Sequence, residues 1–193
     1  MSIATKKGDD GHTDVLYQRR VSKAHPQLEA CGTVDELNAA LGLARATASD
    51  AWVRDQIQAV QADLIVLMAQ LATLPEDAPR YTRDGYPQIG PAHIARLDEL
   101  IRRIESGGLR PQGWAYPGAN LHSAALELAR TVCRRAERRV CALQQAQPLA
   151  NPNVLAYLNR LGDALWLLAR LAETQAGSSA PTPTSGSNSG GSG

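Results

Sequence analysis

Phenylalanine is absent from this 193-residue chain, and Trp and Tyr bring its aromatic content to only 4%. A core without Phe has to be filled mainly by Leu, Ile, Val and Ala. An excess of charge is missing as well: 20 Lys and Arg stand against 19 Asp and Glu, a formal net charge of +1. That balance lacks the electrostatic footprint of a general nucleic-acid or anionic-membrane binder. No apolar run approaches the roughly 18 residues needed to span a bilayer. The opening stretch MSIATKKGDDGHTD has no apolar segment that would serve as a secretory signal. A cytoplasmic protein with no membrane and no nucleic-acid partner is therefore expected. Cysteine is scarce: Cys31, Cys133 and Cys141 are odd in number, without CxxC spacing, and do not read as a disulfide framework. His12, His25, His93 and His122 form no HxxxH or HExxH pattern, so no structural zinc site is expected.

What is present is helical periodicity. Ala30, Val34, Leu37, Leu41 and Ala44 recur at steps of four and three, as do Val53, Ile57, Val60, Leu64, Leu67 and Leu71. Ile94, Leu97, Ile101 and Ile104 form a third stripe, Leu121, Ala125, Leu128 and Val132 a fourth. Val154, Leu158, Leu161, Leu165, Leu168 and Ala172 form the fifth. Each set falls on one helix face. Asn151-Pro152 and Gly90-Pro91 read as helix starts, and Ser106-Gly107-Gly108 as a stop. Five helices are expected, near 27–47, 50–73, 91–105, 120–145 and 152–173, in an all-α up-and-down bundle. No alternating strand pattern competes. Residues 1–24 precede the bundle as a polar segment. Residues 174–193, rich in Gly, Ser and Pro, read as a flexible tail outside the domain of residues 1–173. Trp114 and Tyr116 fall in the loop before the fourth helix, where aromatics commonly plug a bundle end.

Two stretches carry candidate chemistry. RTVCRRAERR, residues 130–139, holds five arginines and one glutamate. On a helix Arg130, Arg134 and Glu137 share a sector. A solvated face stitched by ion pairs is one reading, each pair contributing a few tenths of a kcal/mol. The other is an anion site, in which guanidiniums one turn apart grip a polyphosphate and the carboxylate orients an arginine or helps hold Mg²⁺. The second stretch, TKKGDDGHT, residues 5–13, combines glycines that permit close backbone approach with two lysines and two threonines. It is not a P-loop, because GxxxxGK followed by Ser or Thr is absent.

Taken with RVSK at 20–23, EACGTVDELNAALGLA at 29–44, ARTVCRRAERRV at 129–140 and YLNRLGDALWLLAR at 157–170, these stretches resemble the PduO-type ATP:cob(I)alamin adenosyltransferases. The resemblance spans roughly residues 4–172, in family order. It implies a five-helix bundle that assembles as a homotrimer with active sites between subunits. It further implies binding of ATP with Mg²⁺ and of a cobalamin reduced to Co(I), and transfer of the 5′-deoxyadenosyl group to cobalt with release of triphosphate. By motif, Thr5, Lys6, Gly8, Asp9, Gly11 and Thr13 wrap the ATP, assisted by Lys23. Arg134, Glu137 and Asn159 complete the nucleotide site, with Glu137 the candidate Mg²⁺ ligand. Arg130 pairs with Asp35 across the interface. A corrinoid reductase or a cobalamin-dependent enzyme is the further partner implied. Co(I) is itself a strong nucleophile, which accounts for the absence of any Ser-His-Asp or Cys-His arrangement.

The chain departs from the family at three places. Many members continue SLFGG after the threonine equivalent to Thr13, whereas DVLYQ stands at 14–18 here. LNRLSD becomes LNRLGD, with Gly162 in place of Ser. The corrin-facing FxLPGG becomes WAYPGA, placing Trp114 where the family Phe helps displace the lower axial base. Two rival functions stand beside the enzyme: a non-catalytic ATP- or corrinoid-binding module on the same fold, and a helical interaction protein whose arginine face meets an acidic partner.

Overall fold

All five stripes lie on helices, and side-chain caps mark where four of these begin. The computed structural model describes residues 4, 6–109, 115–147, 149 and 151–178, with side chains described through 174. Helix α1, Pro26–Thr47, opens on Pro26 behind His25, whose ring Nδ1 accepts from the Gln27 N–H at 3.2 Å. Helix α2, Ala51–Leu71, is capped by Asp50, which accepts from the Trp52 and Val53 N–H groups at 2.8 and 3.4 Å. A short helix α3, Ala78–Arg83, precedes α4, Pro91–Ser106. Helix α5, Leu121–Ala146, has a reciprocal cap: Asn120 Oδ1 accepts from the Ser123 N–H and Ser123 Oγ from the Asn120 N–H. Helix α6, Asn153–Ser178, follows Asn151, which accepts from the Asn153 N–H at 3.0 Å.

Contacts between helix ends define the topology. Gln27 at the start of α1 donates to the Thr73 carbonyl just past α2, and Thr47 at the end of α1 meets His122 at the start of α5. Asn120, ahead of α5, donates to the Ala172 carbonyl late in α6, while Asn151 donates to the Ile89 carbonyl just before α4. Thus α1, α4 and α6 run one way and α2 and α5 the other, an up-and-down bundle with neighbour order α2–α1–α5–α6–α4. Asp63 of α2, buried, closes the ring: Tyr157 of α6 donates to it at 2.8 Å and Arg96 of α4 pairs with it.

The stripes on α1, α2 and α6 are buried throughout. On α5 the expectation needs correcting. Leu121 and Leu128 are exposed at 71% and 50%, and the buried face instead runs through Ala125, Leu126, Ala129, Val132, Cys133, Ala136, Val140 and Leu143. Small residues let α5 pack closely between α1 and α6, so the bulkier leucines were the wrong guide to its inner face. Tyr157 and Tyr81 supply buried aromatic volume in place of Phe.

Three further differences from the sequence reading concern the ends. Residues 12–22 form a hairpin: strand β1, His12–Val15, pairs antiparallel with strand β2, Arg19–Ser22, from His12↔Ser22 to Val15↔Arg19. Four-residue polar strands leave too little alternation for a strand signal. The linker after α2 contains a 3₁₀ turn, Pro75–Asp77, and α3. Finally, α6 continues through Ser178 rather than stopping at 173, because no breaker precedes Gly177. Residues 179–193 of the expected tail lie outside the described residues.

Candidate active site

The five arginines of α5 separate by direction. Arg135 pairs with Glu36 of α1, Arg139 Nε lies 3.0 Å from Glu29 of α1, and Arg138 donates to the carbonyl of Arg134. Arg135 and Arg139 fit the solvated, ion-paired reading. Arg134 makes an ion pair and reaches a second helix as well. Its Nη1 donates at 3.0 Å both to Glu137 Oε2, one turn along α5, and to Asn159 Oδ1, near the start of α6. The guanidinium is thus held by two acceptors on two helices, with other N–H groups left to donate outward.

Gly162 lies directly beneath that side chain. A Cβ at this position would stand 2.9 Å from Arg134 Cδ and 3.2 Å from its Nη1. The glycine opens a notch in α6 through which Arg134 reaches Asn159, so the departure from the family serine has a structural consequence: close approach.

Arg130 belongs to a second cluster. Its Nε donates to Glu127 Oε2 at 2.7 Å, while Arg170 of α6 donates to Glu127 Oε1 at 2.8 Å and lies 3.0 Å from Glu173 Oε1. Glu127 and Arg170 are only 4% and 5% exposed. Sequence reasoning missed both, since a pair 43 residues apart leaves no local spacing signal. Asp35 lies exposed on α1 and makes no ion pair among the described residues. Within one chain, then, Arg130 and Asp35 do not pair.

The N-terminal loop is folded back on the hairpin. Arg20 donates to the Lys7 carbonyl at 2.6 Å and to both carboxylate oxygens of Asp10 at 2.9 and 3.0 Å, and its other terminal nitrogen reaches Asp14. The Arg20 bond is the main cause holding the Asp10 carboxyl below its ordinary range. Lys23 crosses Gly8 so closely that a Cβ there would lie 2.9 Å from Nζ. Gly11 takes φ +81°, and its carbonyl accepts from the Lys23 N–H at 2.9 Å. Lys6, Gly8, Asp9, Gly11, Thr13 and Lys23 are therefore gathered in one place; Thr5 and Trp114 lie outside the described residues. Arg20 was not singled out as a site residue, because its place beside Asp10 and Asp14 depends on a hairpin that left no strand signal. No hydrogen bond or ion pair joins residues 6–24 to Arg134, Glu137 or Asn159 among the described residues.

Two of the three thiols are held in their protonated, weakly nucleophilic form. Burial pushes Cys133 up to about 12 and Cys31 up to about 11, with the Asp35 charge adding to the latter. Tyr116 is 87% exposed and does not plug the bundle end. Cationic side chains on preformed mounts are equipped to hold an anionic leaving group while another molecule attacks.

The model of the cobalamin adenosyltransferase family matches residues 3–172. A corrinoid adenosyltransferase from Citrobacter freundii is 38% identical over 174 residues, covering 89% of this chain and 95% of that protein. The corrinoid adenosyltransferase PduO of Salmonella typhimurium is 37% identical over 177 residues; the match covers 91% of this chain and 51% of the relative, so the chain spans about half of that protein. Among solved structures, the PduO-type adenosyltransferase of Lactobacillus reuteri aligns with a TM-score of 0.81 at 28% identity, covering 91% of this chain and 96% of that one. Its arginine-to-lysine variant was solved with ATP, and its phenylalanine-to-alanine variant with cobalamin and ATP.

Proposed function

The chain belongs to the cobalamin adenosyltransferase family, and from that premise we propose the reaction: transfer of the 5′-deoxyadenosyl group of ATP to the Co(I) of a reduced corrinoid. The cobalt electron pair attacks C5′, the Co–C bond forms as the C5′–O bond breaks, and triphosphate leaves. The observation that carries this reading is Arg134 held by Glu137 and Asn159 at 3.0 Å each. A guanidinium fixed on two helices meets the charge growing on a departing polyphosphate without reorganising first. Lys6 and Lys23 add charge from the loop, and Gly8 and Gly11 let its backbone N–H groups approach the phosphates.

Magnesium would arrive with the nucleotide. No group of three acidic, His or Cys side chains forms a metal cage among the described residues, but Glu137 offers one carboxylate, with Arg134 bound to one of its oxygens. One carboxylate plus phosphates suits Mg²⁺, whose charge would help neutralise the triphosphate. Thr5 would add a hydroxyl at the loop edge. Trp114 would serve as the apolar wedge that displaces the lower axial base.

The nucleotide loop and Arg134 would meet between subunits of a homotrimer, with Arg130 reaching Asp35 of a neighbouring copy. Supporting this, Leu43 of α1 and Leu121 and Leu128 of α5 are exposed large apolar side chains. Arg130 has nitrogens left after Glu127, and Asp35 is exposed. No single helix among the described residues is long and apolar enough to cross a membrane; a cytoplasmic site is the proposed location, with a corrinoid reductase upstream and a cobalamin-dependent enzyme downstream. Calorimetric titration with ATP and Mg²⁺ tests the carrying observation. Arg134→Ala is expected to weaken ATP binding by at least roughly tenfold, the worth of a charge-assisted contact. Unchanged affinity would remove Arg134 from the site.

A further inference from the structure

The turn joining β1 and β2 adopts a conformation its sequence does not favour. Tyr17 and Gln18 take φ of 60° and 59°, left-handed values that suit glycine. A bulky aromatic persists in such a conformation only where its surroundings hold it.

Those surroundings are the 3₁₀ turn and α3. Arg80 lies over the Tyr17 ring, 4.1 Å from its centroid, and Tyr86 meets the ring edge-on at 6.4 Å. The Tyr17 hydroxyl donates to Asp84 at 3.1 Å, and burial together with that carboxylate raises the phenol above its ordinary range. Two residues on, Arg19 makes a forked pair with Asp77: Nε to Oδ2 at 2.7 Å and Nη2 to Oδ1 at 2.9 Å. Asp77 is 5% exposed. The Leu16 N–H also donates to the Ala72 carbonyl at the end of α2. Every contact comes from residues 72–86, a segment with no candidate catalytic residue.

We propose that residues 75–86 form a docking platform that preorganises the nucleotide loop, with Tyr17 and Arg19 as the positioning residues that anchor its turn. The mechanical link is short. Arg20 sits on the strand whose first residue is the anchored Arg19, and Lys23 directly follows that strand; the two clamp residues 7–11. Anchoring removes freedom that would otherwise be lost when ATP binds. The inference rests on the reading of residues 5–13 as the nucleotide loop.

The test compares Tyr17→Ala, Asp77→Asn and Tyr17→Phe with Lys23→Ala in the full-length protein, by steady-state kinetics and by amide exchange over residues 12–22. For Tyr17→Ala and Asp77→Asn, the KM for ATP should rise roughly tenfold, as expected for lost preorganisation. Their kcat and the KM for cob(I)alamin should stay within about twofold, and hairpin exchange should quicken. Tyr17→Phe keeps the ring over Arg80 and should stay close to wild type in all three. A general loss of stability would lower kcat and disturb both KM values instead, and would overturn the proposal. So would a released hairpin with an unchanged ATP KM, or unchanged exchange. If Lys23→Ala also leaves the ATP KM unchanged, the loop reading itself fails; if Lys23→Ala raises it and the anchor variants do not, only the platform fails.

Discussion

Gly162 shows how one absent side chain shapes the site. Its missing Cβ leaves the space that Arg134 crosses to reach Asn159. Gly162→Ala would fill that space, yet the obstructed atoms belong to a flexible side chain that can swing outward. Helix propensity favours Ala by up to about 1 kcal/mol. Thermal stability is therefore expected to hold or rise while the KM for ATP increases several-fold. Both changes can be read on one preparation by calorimetry and kinetics, and a lower Tm with unaltered KM would contradict the notch. Arg134, Glu137 and Asn159 were legible in the sequence because helix periodicity and motif order point to them. Gly162 was legible only as an anomaly in LNRLGD, and the Glu127–Arg170 pair not at all, because its partners meet only once α5 and α6 have packed.

Among the elements, the hairpin was the least legible. Its strands are four residues each, polar and exposed, and what holds them is a forked ion pair 58 residues apart. The long helices were legible because period and caps agree, whereas the inner face of α5 was misread where small residues, not leucines, make the contact. Two outcomes follow at this scale. Gln18 takes φ 59° with an exposed side chain, so Gln18→Gly should relieve roughly 1 kcal/mol of left-handed cost and slow hairpin exchange without altering ATP binding. Faster exchange would show that the backbone conformation is not strained. Acid should do the opposite. The Arg19 hydrogen bond holds Asp77 below its ordinary range, and a depressed folded value contributes stability above the unfolded value, lost as pH falls through the folded one. The hairpin should therefore stay docked at neutral pH and release only below about pH 4, a transition that amide exchange would register and that Asp77→Asn should abolish.

For the whole molecule, no hydrogen bond or ion pair within the chain joins residues 6–24 to the Arg134 cluster among the described residues. The homotrimer proposed above would bring the two together. If the proposed trimer forms through α5, Leu128→Glu, which places a charge on the exposed apolar surface of that helix, should give monomers by sedimentation velocity, with adenosyl transfer lost in parallel. Monomeric wild-type protein that still turns over would contradict assembly between subunits. The central claim is tested most directly by an anaerobic reaction of the purified protein with chemically generated cob(I)alamin, ATP and Mg²⁺, following the decay of Co(I) absorbance beside Arg134→Ala. Light-sensitive adenosylcobalamin forming with the wild type and not with the variant is the expected result; no product from a wild-type protein that binds ATP would contradict the assignment.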